Sequence, residues 1–202
     1  SPWAGHAQKN WEQIRKEDGI EVYLHDPKNQ SYYEVKALTT VSASTHALVA
    51  LLKDAGRYDE WMHRSRDARL LEELAEDHYV YYLRTHLPWP VADKDMVVHT
   101  LITPHPNGRV STISRDTTGY IPEKQKVNRL HYVRVKWHFQ PLADEKVRVR
   151  YYTRFNPGIA VPEWLEKQLF HTAPYRTLLN MKQQVHHPRY TGKHFDFLHA
   201  PE

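Results

Sequence analysis

The chain has 202 residues, close to one average domain, and its 40% hydrophobic and 26% charged residues exclude disordered and fibrous classes. At that length a core can be buried without staples. Cysteine is absent, which excludes disulfide frameworks, thiolate zinc sites, iron–sulfur clusters and cysteine nucleophiles. The 28 Lys and Arg against 24 Asp and Glu leave a net charge of +4, a mild excess. The densest basic run, Arg148, Arg150 and Arg154, alternates with Val149 and Tyr151, so no nucleic-acid partner is expected.

In chain order, residues 11–17 lead through Asp18-Gly19 into 20–25. Asp-Gly between two such runs marks a hairpin, because Gly tolerates the positive φ of a tight turn. A polar connection follows at 26–31, then a third strand at 32–41. The period next changes from two to 3.6. Ser44 is a good N-cap for a helix over 45–53, with Leu48, Leu51 and Leu52 at helical spacing and Gly56 past its end. A second short helix is expected at 58–63.

Strands resume at 68–73, 79–85, 94–103, 109–116, 131–140 and 146–155, with the short separations of an antiparallel meander. Val133, Val135, Trp137 and Phe139 alternate with Arg134, Lys136 and His138, the signature of a half-buried strand. Pro162 opens a long helix running to about residue 186, at the first-turn position that proline favours. Pro174 lies inside that helix, and its missing N–H and ring clash should bend or break it near 170–173. The tail, 187–202, is expected to pack loosely or trail. The whole of 1–202 reads as one α+β domain with a core over about 11–186. A curved antiparallel sheet of about nine strands would surround the long C-terminal helix, with two short helices after the third strand.

Motifs for chemistry are few. There is no His-Glu-x-x-His, no Gly-x-Ser-x-Gly and no phosphate-cradling glycine loop, so no metal site, catalytic residue or cofactor is assigned. The longest apolar run, 47–52, is too short to span a membrane. The opening Ser-Pro-Trp-Ala-Gly lacks an initiator Met, as a processed or trimmed chain would. Lys94-Asp95 reads as a surface or rim ion pair worth little to stability. Trp89, between Pro88 and Pro90, either caps one end of the core or stands exposed to insert among lipid headgroups. The net positive charge makes attraction to an anionic membrane weak, and a solvated basic surface is the plainer reading.

Three stretches together resemble the START (steroidogenic acute regulatory protein-related lipid transfer) domain, particularly its bacterial members. They are Asp18-Gly19-Ile20-Glu21-Val22-Tyr23, then Pro88-Trp89-Pro90-Val91-Ala92-Asp93-Lys94-Asp95, then Asn156-Pro157-Gly158 with Val161-Pro162-Glu163-Trp164-Leu165. The resemblance covers about 11–185. It implies a helix-grip fold: a U-shaped antiparallel sheet around a hydrophobic tunnel, with the C-terminal helix as lid. The implied ligand is a sterol, phospholipid or related lipid. Two departures stand out. Asn156-Pro157-Gly158-Ile159 replaces the family's Asp-Pro-Gly-Gly, and Thr100 and Leu83 occupy positions where some animal members place charges.

Alternation leaves either face of 94–103 free to point inward, and the resemblance selects Met96, Val98 and Thr100 as tunnel lining. Tyr81 and Leu83 would be their neighbours, with Val135, Trp137, Tyr151, Leu165, Leu169 and Thr172 completing the expected ligand-binding set. Thr100, Tyr81 and Thr172 would fix a hydroxyl or headgroup. The function so implied is a non-enzymatic carrier or sensor of a lipid or other hydrophobic small molecule, with transient membrane contact at Trp89. The alternatives are a helix-grip cyclase or hydrolase working in the same cavity, and a lipid-regulated interaction module. The expected setting is soluble, in the bacterial cytoplasm, or in the periplasm after loss of a targeting segment.

Overall fold

The computed structural model describes residues 10–25 and 31–199. The connection at 26–30 lies outside them, as do the first nine residues and the last three. The described strands are β1 (Glu12–Glu17), β2 (Ile20–His25), β3 (Tyr33–Ser42), β4 (Ser65–Ala75), β5 (His78–Thr85), β6 (Asp93–Pro104), β7 (Val110–Asp116), β8 (Val127–Arg129), β9 (Arg134–Pro141) and β10 (Lys146–Phe155). Nine of them form one antiparallel path in the order β1-β2-β3-β10-β9-β7-β6-β5-β4. Asp18 and Gly19 both have positive φ in the first hairpin turn, as the Asp-Gly pair requires. The expected nine-strand meander is thus present. β8 is an addition, pairing in parallel with the start of β6.

Helix α1 (Thr45–Lys53) starts at Ser44, whose hydroxyl accepts the Ala47 N–H at 3.0 Å. It buries Leu48, Leu51 and Leu52. The expected second helix is a 3-10 turn at Ala55–Glu60, earlier than its period suggested. It is set by tertiary bonds: Tyr58 donates its hydroxyl back to the Leu52 carbonyl, one of the acceptors that a helix end leaves open. Tyr79 donates to the same carbonyl at 3.1 Å.

The C-terminal helix is α2 (Glu163–Glu166), a π-helical turn (Lys167–Thr172) and α3 (Ala173–Gln184). The expected break before Pro174 therefore takes the form of a widened turn. The Ala173 N–H reaches the Gln168 carbonyl five residues back, and the extra residue relieves the clash of a proline ring with the carbonyl four positions earlier. α3 buries Tyr175, Leu178 and Met181 against the sheet.

The tail does not trail. Tyr190 and Leu198 are buried, the Tyr190 hydroxyl donates to Asp54 at 2.9 Å, and the Phe195 N–H donates to His46 Nδ1 at 3.0 Å. Sparse apolar residues without a period sufficed to dock it beside α1. No helix among the described residues is long and apolar enough to cross a membrane.

Burial sets an acid limit on this fold. It pushes His46, His63, His99 and His138 below the ordinary histidine value, reinforced by neighbouring His194, Arg64, His78 and Arg150 respectively. A depressed folded-state value favours the neutral ring. The associated stability is complete above the unfolded value of ~6.5 and is lost as pH falls toward the folded values, because the unfolded chain then binds more protons. Urea titrations should show the midpoint falling between pH 7.5 and 5.5, before the carboxylates titrate. An unchanged midpoint over that interval would contradict neutral burial.

Candidate functional site

The sheet's concave face and the C-terminal helix enclose an apolar cavity of about 170 Å³. It occupies only the half of the space between sheet and helix nearest the loops that join β5 to β6, β7 to β9 and β10 to α2. Leu87, Leu130, Pro157 and Ile159 come from those loops and line its outer end. The other half is filled by aromatic packing. Tyr58 meets Trp61 and Tyr81 edge-on at 5.6 and 5.2 Å, and Trp61 reaches Trp137 at 6.0 Å. Such edge contacts suit the ring quadrupole. Burial pushes the Tyr58, Tyr79 and Tyr81 hydroxyls well up, so they stay neutral.

This division decides where the expected lining residues fall. Leu83, Met96, Val135, Tyr151, Leu165 and Leu169 stand in the cavity wall. Tyr81, Val98, Thr100 and Trp137 do not. They face the expected side but lie deeper along their strands, in the packed half. There the Thr100 hydroxyl bonds that of Ser114 at 2.7 Å, which leaves it no role at the cavity surface. Alternation sets the face of a strand residue and says nothing of its depth.

Thr172 is displaced for a different reason. Leu165, Leu169 and Thr172 share a face of an α-helix, but the π turn inserts a residue. Ala173, Pro174 and Thr177 therefore follow Leu169 on the wall. Trp89 stands on the loop between β5 and β6 with 91% of its surface exposed, so it does not cap the core. Tyr132, Ile159 and Trp164, on the neighbouring loops and at the start of α2, are also exposed.

Lys94 and Asp95 are not a pair. They project to opposite faces of β6, as alternation requires. Asp95 takes Arg129 Nε at 2.7 Å, Arg129 Nη2 at 3.2 Å and the Tyr82 hydroxyl at 3.0 Å. Asp93, on the same face, accepts from Arg84 at 2.7 Å and the Leu87 N–H at 3.2 Å, and meets His86 at 2.9 Å. Burial pulls its carboxyl up, but Arg84, the Leu87 N–H and His86 together hold it below the ordinary value. Lys94 is buried in the cavity wall instead.

Other polar wall residues are His63, Ser65, Thr85, Thr153 and Thr177. The phase of β6 could have found Lys94, which lies two residues before Met96. Tyr151, also in the wall, is pushed up to about 12 by burial. Among the described residues no three His, Asp or Glu side chains gather to hold a metal ion.

A curved antiparallel sheet gripping a C-terminal helix over an apolar cavity defines a helix-grip protein. The family model described as the START domain matches residues 4–189, and the chain belongs to that family. An uncharacterized protein of Pseudomonas aeruginosa is 28% identical over 180 residues, covering 89% of each chain. Among solved structures, a STAR-related lipid transfer protein fragment from Xanthomonas axonopodis matches with a TM-score of 0.77 at 26% identity, over 87% of this chain and 98% of that one. Human StAR-related lipid transfer protein 5 matches with a TM-score of 0.75, over 89% of this chain and 88% of that one. Its identity of 15% speaks to the fold alone.

Proposed function

We propose that this chain is a non-enzymatic carrier or sensor that holds a lipid-like ligand beneath its C-terminal helix. The observation that carries the reading is the apolar cavity between sheet and helix, at the end of the molecule where three loops converge. Each ligand CH₂ buried there contributes ~0.8 kcal/mol, so a lipid-sized guest can be held without covalent chemistry. At about 170 Å³ the cavity is near the size that holds one benzene ring, ~150 Å³, and a lipid would require the helix to yield. The family membership and the lipid transfer protein from Xanthomonas axonopodis support the same class of ligand. Exposed Trp89, Tyr132, Ile159 and Trp164 surround the cavity's outer end and give it a face suited to brief contact with a membrane.

Mass spectrometry of an organic extract of the purified protein tests the reading, followed by lipid transfer between donor and acceptor vesicles. A co-purified lipid and accelerated transfer are expected. Met96→Trp should fill cavity space and reduce transfer at least about tenfold, at an overpacking cost of ~1–3 kcal/mol in stability. A well-folded variant with undiminished transfer would place the ligand elsewhere.

A further inference from the structure

Three of the polar residues in the cavity wall fall on one line. Register pairs Ser65 with Thr85 across β4 and β5, and Thr85 with Lys94 across β5 and β6. Directly opposed residues share a face with Cβ atoms ~5 Å apart, and all three line the cavity. They form a row of two hydroxyls and one ammonium at its loop end. Ser65 is 8% exposed and Lys94 7%. The Ser65 Oγ has no hydrogen-bond partner, nor has Nε2 of His63, another polar group of the same wall.

Among the described residues Lys94 has no hydrogen-bond or ion-pair partner, and burial pushes its ammonium below the ordinary lysine value. The aspartates on either side give it no relief. They lie on the opposite face of β6, where Arg84 and His86 engage Asp93 and Arg129 engages Asp95.

A cation among apolar groups is costly unless an opposite charge meets it. The described fold brings none, and a guest entering the cavity can supply it. We infer that the cavity takes an amphiphile with a monoanionic head, a long-chain carboxylate, held at that head by Lys94, Ser65 and Thr85. A carboxylate only accepts hydrogen bonds, and the row supplies an ammonium and two hydroxyls that donate to its two oxygens. One ammonium neutralises one charge. A phosphomonoester dianion would leave a negative charge unpaired in the same apolar space, and a neutral alcohol would leave the ammonium unpaired. The apolar wall at Leu83, Met96, Val135, Leu165 and Leu169 takes the chain.

The inference rests on the carrier reading, and the test separates the two. Dodecanoate, dodecanol and methyl dodecanoate vary the head on one chain, and calorimetric titration of the lipid-stripped protein gives their affinities. Dodecanoate should bind about tenfold to a hundredfold tighter than the alcohol or the ester. Lys94→Met keeps an unbranched chain one atom shorter, removes its charge and should bring that ratio to within about twofold of unity. Equal affinities in the wild-type protein overturn the inference and leave the carrier reading standing. So does a ratio that survives Lys94→Met in a variant with wild-type circular dichroism. If none of the probes binds and the organic extract holds no lipid, both readings fall together. Should Lys94→Met not fold, the wild-type comparison of acid with alcohol still decides.

Discussion

Asp95→Ala should lower the unfolding free energy by about 3–5 kcal/mol. Asp95 is 1% exposed and holds the Arg129 guanidinium through two bonds, at 2.7 and 3.2 Å, with the Tyr82 hydroxyl completing its shell. Removing the carboxylate leaves a guanidinium against protein with its charge uncompensated, and that penalty exceeds the pair's own net worth. The loss has a structural address. Arg129 ends β8, whose three residues pair with Asp93, Lys94 and Asp95, so the ion pair fastens the 117–133 segment to the start of β6. In a domain of this size each kcal/mol moves the melting temperature by roughly 2–4 °C, and a drop of about 6–20 °C is expected. Asp95→Leu combined with Arg129→Met should recover most of it, because a packed apolar pair replaces a buried ionic one at little cost. A single-variant loss below about 1 kcal/mol, measured by urea unfolding, would show that water reaches Arg129 and solvates it.

The same strand shows what was legible in the sequence. The period of two in β9 and β10 is strong, and it assigns Val135 and Tyr151 to the inner face, whereas in β6 it left either face free and the resemblance selected that of Met96. Carried two residues upstream from Met96, that phase also sends Lys94 inward and Asp95 outward. Reading the two adjacent opposite charges as a pair ignored the pleat. Depth was not legible, because the boundary between cavity and packed core lies where Tyr58 and Trp61 arrive from a distant segment. Nor was β8, since three residues carry no period and the strand exists through the Asp95–Arg129 bond. Pro174 marked the irregular place in the helix. Its consequence for the face, a shift from Thr172 to Ala173, depends on the turn widening and not breaking.

Phe170→Ala should release the lid without dismantling the sheet. Phe170 is 0% exposed, the only fully buried side chain of the π turn, and it lies 4.6 Å from the Tyr33 ring and 6.0 Å from that of Phe155. Truncating such a side chain costs ~3–5 kcal/mol. Where that cost falls depends on what opens. α3 is anchored independently by Tyr175, Leu178 and Met181, whereas the stretch from Glu163 through Thr172 holds only Leu165 and Phe170 as buried apolar anchors. Its backbone ladder is also interrupted where Pro174 offers no N–H.

A segment with few buried contacts and an irregular ladder opens below the global unfolding free energy. The loss should therefore appear as a shift of the lid's closed-to-open ratio by about two to three and a half orders of magnitude, bounded by the lid's own closing free energy. Ligand release in stopped flow should accelerate accordingly. Amide protection should vanish over 165–176 while that of β9 and β10 persists. If protection instead falls evenly over lid and sheet, with the urea midpoint dropping and its slope unchanged, the helix opens only with the whole domain. A carrier built that way could exchange its ligand only by unfolding, and the π turn would then be no more than the fold's accommodation of Pro174.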